Sequence, residues 1–258
     1  MHELNELVLG SALSELPQLT SLHVIECSKV DHTAILRLIS HTPFLESLSF
    51  TSWESPRVLP TSISALHYLR HLTVDTHCTL TPSATPSLWT SIIALTRSWS
   101  CSLKSLTLRL SDKLLLGDAF IKDVLDVHHA TLTHLALLNC GLSLEGIRLI
   151  CSRCTSLQRF AVSVPTKEIH GFSQALARSR SLHTLTDVGD IHHSHAQRAP
   201  ISKLDVRTIM EHVQSLEKVI ADGRVWAADR TDGFMGEGMR LYVQKRASSS
   251  PVHWFMPP

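Results

Sequence analysis

Residues 132–140 read LTHLALLNC, from Leu132 to Cys140. In an extended chain Leu135 and Leu137 share one face, while His134, Ala136 and Leu138 take the other. The same L-x-x-L-x-apolar spacing recurs along the chain. Upstream it appears as LNELVL from Leu4, LTSLHV from Leu19, LESLSF from Leu45, LRHLTV from Leu69 and LKSLTL from Leu103. Downstream stand LQRFAV from Leu157, a degraded LHTLTD from Leu182 and a weaker LEKVIA from Leu216. Each copy reads as a short strand, because its apolar residues alternate.

Helical spacing fills the gaps. In DHTAILRLIS, Asp31 is a candidate N-cap, and Ala34, Ile35, Leu38 and Ile39 fall on one face. In TPSLWTSIIALTRSW, Thr85 caps, Pro86 takes the first helical position, and Leu88, Ile92 and Leu95 form the stripe. GDAFIKDVLDVHH, SLEGIRLICSRC, TKEIHGFSQALARS and DVRTIMEHVQ supply four more helices. One strand and one helix at this period cannot bury an apolar face alone, so neighbouring units must stack. The expected product is one parallel sheet with Leu22, Leu48, Leu72, Leu106, Leu135 and Phe160 in an interior ladder.

This pattern resembles the leucine-rich repeat family over roughly residues 4 to 190. The fit is best at LTSLHVIEC, ending at Cys27, and at LTHLALLNC, ending at Cys140. Trp53, His77, Ser111, Pro165 and Asp190 take the corresponding place in other copies, so the turns are irregular. The cysteines point to the cysteine-containing class, and the His- and Ser-rich style resembles the fungal F-box leucine-rich-repeat proteins. The resemblance implies an α/β solenoid: a curved arc, parallel sheet on the concave face, helices on the convex face. It divides the chain into an arc over 1–188, a His-rich loop over 189–204, and a final repeat with a β-hairpin cap and tail over 205–258. The cap is read from EKVIADGRVWAADR and GMRLYVQKR, two β-rich runs around the glycines Gly233, Gly236 and Gly238. Trp254 and Phe255 in the tail are expected to dock.

Composition narrows the function. The 258 residues carry 24 Lys and Arg against 23 Asp and Glu, a net charge of +1. That balance gives no general pull on nucleic acid or on an anionic membrane. Neither a secretory signal nor an apolar run of spanning length occurs. Six cysteines without a signal segment read as reduced thiols, which points to the cytoplasm or nucleus.

Three features invite chemistry. Cys151 and Cys154 form a C-x-x-C that would suit zinc or redox work, but no second pair completes a standard finger. The resemblance implies structural thiols that close a helix before the next strand. His192, His193 and His195 form the most metal-like cluster, in a stretch that reads as a solvated loop. Neither a G-x-S-x-G elbow, an H-E-x-x-H nor a P-loop is present. No catalytic residue, metal site or cofactor is assigned, and the chain is expected not to be an enzyme.

The remaining expectation concerns binding. Strand alternation turns motif positions three, five and seven away from the core. Among small Ser, Thr and Ala side chains, His71, Asp75, Arg109, His134 and Arg159 supply the distinguishing chemistry of that face. The resemblance implies a protein partner on the concave face, as in the substrate-recognition repeats of an F-box ubiquitin-ligase adaptor. The ligase link would run through an N-terminal F-box that this chain lacks. The alternative is a solenoid regulator of a small GTPase or nuclease.

Overall fold

The computed structural model describes residues 4–53, 63–76, 85–189, 200–230 and 240–245. Seven helices and ten strands are assigned in it. In chain order they are α1 (Glu6–Ser14), β1 (Ser21–Val24), α2 (His32–Leu38), β2 (Ser47–Ser52), β3 (His71–Thr76), α3 (Thr85–Ser98) and β4 (Ser105–Leu116). Then follow α4 (Asp118–His128), β5 (His134–Leu142), α5 (Leu144–Arg153), β6 (Arg159–Val162), α6 (Ile169–Leu176), β7 (Thr184–Asp187) and α7 (Lys203–His212). The chain closes the sheet with β8 (Lys218–Ala221), β9 (Arg224–Asp229) and β10 (Arg240–Lys245).

Local chemistry sets the helix starts. The Asp31 side chain accepts from the Ala34 N–H at 2.8 Å, and Ser143 accepts from Gly146 at 2.8 Å. Ser202 and Asp205 form a reciprocal capping box at α7. Each device satisfies an N–H that has no partner within its own helix.

The strands pair in sequence order, β1 to β10. Leu22, Leu48, Leu72, Leu106, Leu135, Phe160, Leu185 and Val219 stand in register across β1 to β8. All are buried, and they share one core with Ile35, Trp89, Leu125, Ile150, Phe172 and Ile209 from the helices. The helices therefore cover one face of the sheet. At roughly 25 cal/mol per Å² of apolar area, each ladder side chain contributes about 2 kcal/mol of burial.

The sheet itself corrects the expected architecture. It is mixed rather than wholly parallel, because β9 runs antiparallel to β8 and β10 antiparallel to β9. It is also open and not strongly curled, with β1 and β10 as its two edges. A leucine-rich repeat arc with a concave sheet is therefore not what this chain builds. The irregular turns supply a physical reason. Among the described residues three positive-φ residues precede a Cys: Ser100 before Cys101 just past α3, and, where the strands turn, Glu26 before Cys27 and Asn139 before Cys140. There each thiol donates to the carbonyl two residues back, Ile25 and Leu138, at 3.3 and 3.0 Å. Without a common turn geometry, no uniform rotation accumulates from unit to unit.

Two local expectations also change. LNELVL is not a strand. Asn5 caps α1 by accepting from the Val8 N–H at 3.0 Å, and the segment turns helical. The run EKVIADGRVWAADR is two strands, not one, since Asp222 and Gly223 both take positive φ and reverse the chain. Cys78, the His192–His195 cluster, Gly233, Gly236, Gly238, Trp254 and Phe255 lie outside the described residues.

Candidate functional site

The face of the sheet opposite the helices is built by alternation. Its first row, from motif position three, reads Ser21, Ser47, His71, Ser105, His134, Arg159, Thr184 and Lys218 in register. Neighbours in the row stand about 4.8 Å apart, the spacing between strands. The next row holds Ser49, Thr73, Thr107, Ala136 and Ala161, and the third holds Thr51, Asp75, Arg109 and Leu138. Ala136, Leu138 and Ala161 make a small apolar cluster of their own, with Val188 against it.

The five residues singled out in the sequence do not form one site. Asp75 and Arg109 face each other across β3 and β4 at 3.6 Å. Asp75 is buried and Arg109 is part-exposed, so the carboxylate is the inner partner. His71, His134 and Arg159 lie in the first row, about 13 Å down the strands from that pair. Five residues not singled out complete this row: Ser21, Ser47, Ser105, Thr184 and Lys218.

Electrostatics in the row favours neutral imidazoles. Burial, the Arg159 guanidinium and then His71 push the His134 pKa down to about 4. Burial and Lys104 lower that of His71, against a smaller opposing pull from Glu46. His134 Nδ1 is paired with the Thr133 hydroxyl at 2.9 Å. His71 Nδ1 and Ser47 Oγ, on adjacent strands, are both buried without a hydrogen-bond partner. Ser47 is only 5% exposed. Two neighbouring buried polar atoms left unmatched are costly, about 1–3 kcal/mol each, and native structures rarely keep them without cause. Alternation places both residues in this row. That their polar atoms lack partners depends on side chains from strands 24 residues apart, which no local pattern reveals.

The C-x-x-C pair lies on the other side of the sheet. Cys151 is in α5 and Cys154 follows it, both within the core. Burial raises both thiols to about 12, and for Cys151 the neighbouring Cys154 adds to the rise. Cys101 is raised to about 11 and Cys140 to about 12 by the same cause. At neutral pH these groups are protonated and poor nucleophiles or metal ligands. His128, at the end of α4, is another core group. Its Nε2 pairs with the Thr96 hydroxyl at 2.9 Å, and burial with Arg97 nearby takes its pKa to about 4.

Among the described residues no helix is long and apolar enough to cross a membrane. No family model matches the chain, and no curated protein matches it. The resemblance to leucine-rich repeat and fungal F-box proteins is therefore not upheld, and with it falls the reading as a ubiquitin-ligase recognition module. The small-GTPase or nuclease regulator falls as well, because it presumed the same solenoid. The expected protein partner on a concave face is corrected too, since the described sheet presents no concave surface. Ser49, Thr51 and Thr73 are already buried there, which leaves little accessible area in the middle of the face.

Proposed function

We propose that the chain acts by binding a polar ligand on the first row of its helix-free sheet face, and that it catalyses no reaction. The observation that carries this reading is the adjacent pair of unmatched buried atoms, Ser47 Oγ and His71 Nδ1. A ligand that presents both a donor and an acceptor would satisfy both. Tuning of the reactive groups supports the non-catalytic half. A general base works best with a pKa near ambient pH, and a cysteine nucleophile needs its thiolate. Here two imidazoles are pushed down to about 4 and three thiols up to about 12. A neutral imidazole still offers one donor and one acceptor, which suits recognition.

We also assign the protein to the cytoplasm or nucleus. The support is that Cys27, Cys101, Cys140, Cys151 and Cys154 are all free thiols.

The test is a thermal-shift panel of small polar compounds, neutral and charged, on wild type and on Ser47→Ala and His71→Ala. A ligand of this row stabilises the native state by mass action, and its shift shrinks in both variants. Shifts that persist unchanged in both variants would place binding elsewhere and overturn the assignment.

A further inference from the structure

The His134–Arg159 end of the row differs from its Ser47 end in charge. The Arg159 side chain is exposed and has no hydrogen-bond or ion-pair partner among the described residues, and the same holds for the side chains of Lys104 and Lys218, two strands to either side. Several other arginines are committed: Arg109 to Asp75, Arg153 to Asp126, Arg207 to Glu211. Arg70 spends a donor on the Ser102 carbonyl at 3.3 Å. The acidic groups flanking the row are Glu46, felt at His71, and Glu217, held 3.4 Å from His183. Between His71 and His134 the row steps down to Ser105, a small side chain flanked in register by two rings.

Resting on the binding reading above, we propose that this end of the row seats an oxyanion, a carboxylate or phosphate group of the ligand, beside Ser105 and against His134 and Arg159. A guanidinium matches the planar geometry of either group and can hold it through two parallel hydrogen bonds. Nδ1 of His134 is engaged by Thr133, so Nε2 is the atom left to the ligand. The ligand's neutral part then extends toward His71 and Ser47, a span of about 14 Å from Arg159 to His71.

Binding is coupled to protons. Burial first and the Arg159 charge second hold His134 neutral; a bound anion counters the Arg159 charge, and protonated His134 then gains a partner. Oxyanion affinity therefore rises as pH falls from neutral toward the range where His134 titrates. His71, Lys104, Arg159 and Glu46 are the charged or titratable groups that act on the two imidazoles.

The experiment follows histidine ring nitrogens by NMR across pH, at constant chloride, with inorganic phosphate, succinate or glycerol added. Phosphate or succinate is expected to raise the His134 pKa by about one unit or more, a tenfold linkage between anion and proton. Arg159→Ala abolishes that anion-dependent rise, while Arg109→Ala leaves it intact. A response to phosphate alone identifies a phosphorylated ligand, and a response to succinate alone a carboxylate. If glycerol moves the row's resonances and neither anion does, the oxyanion assignment is overturned and the polar-row reading stands. If no probe moves them, both are overturned.

Discussion

Leu135 stands in the middle of the interior ladder, in register with Leu106 on one side and Phe160 on the other. It also lines a small apolar cavity with Leu108, Ile121, Leu125 and Ile150. Leu135→Ala would enlarge that cavity, and the expected loss is about 2–5 kcal/mol in a urea titration. A midpoint equal to wild type would contradict the packing. Cys151 and Cys154 allow a second test. Iodoacetamide under native conditions should leave both unmodified by mass spectrometry, and denaturant should expose them. Prompt native labelling would rule out buried, protonated thiols. Both assignments were legible in the sequence, because leucine spacing and helix phase decide which side chains enter the core. The unmatched Ser47 Oγ and the inner position of Asp75 were not. They depend on what distant strands place beside them.

At the scale of elements, the sequence was clearest where capping chemistry and apolar period agree, as at Asp31 and α2. It misled at LNELVL, where six residues satisfy the strand pattern and Asn5 nonetheless starts a helix. The short interval to the next copy left no room for a complete strand and helix. Asn5→Ala should therefore cost about 0.5–2 kcal/mol, read as lower amide protection in α1. Unchanged protection would show that packing of Leu9 and Leu13 alone holds it. The reversal at Asp222 and Gly223 is encoded locally, since Asp-Gly between alternating residues marks a two-residue hairpin. Gly223 has φ 71° and nothing within 4 Å of where a Cβ would sit. Gly223→Ala should thus cost about 1–2 kcal/mol through backbone strain alone, and a larger loss in Tm would reveal a contact instead.

For the molecule as a whole, the buried histidines make stability depend on acid. His128 and His134 titrate near 4 when folded, below the ordinary value near 6.5. Between those values the unfolded chain binds protons that the native state refuses, so stability falls as pH drops through that window and levels off below it. For the core residue His128 the effect is on the order of 3 kcal/mol. His128→Gln should flatten the decline of Tm between neutral pH and about pH 4, and an equally steep decline would refute a neutral, buried imidazole. The antiparallel end of the sheet has a kinetic counterpart. Every pairing from β1 to β8 is parallel and must close a loop through a crossover, whereas β8 and β9 meet across two residues. Hairpins form in about 1–10 μs, far ahead of such long-range closures. The earliest template for strand addition thus lies on the C-terminal side of the parallel strands. Assembly would then proceed backward, from β8 toward β1, once synthesis has passed β9.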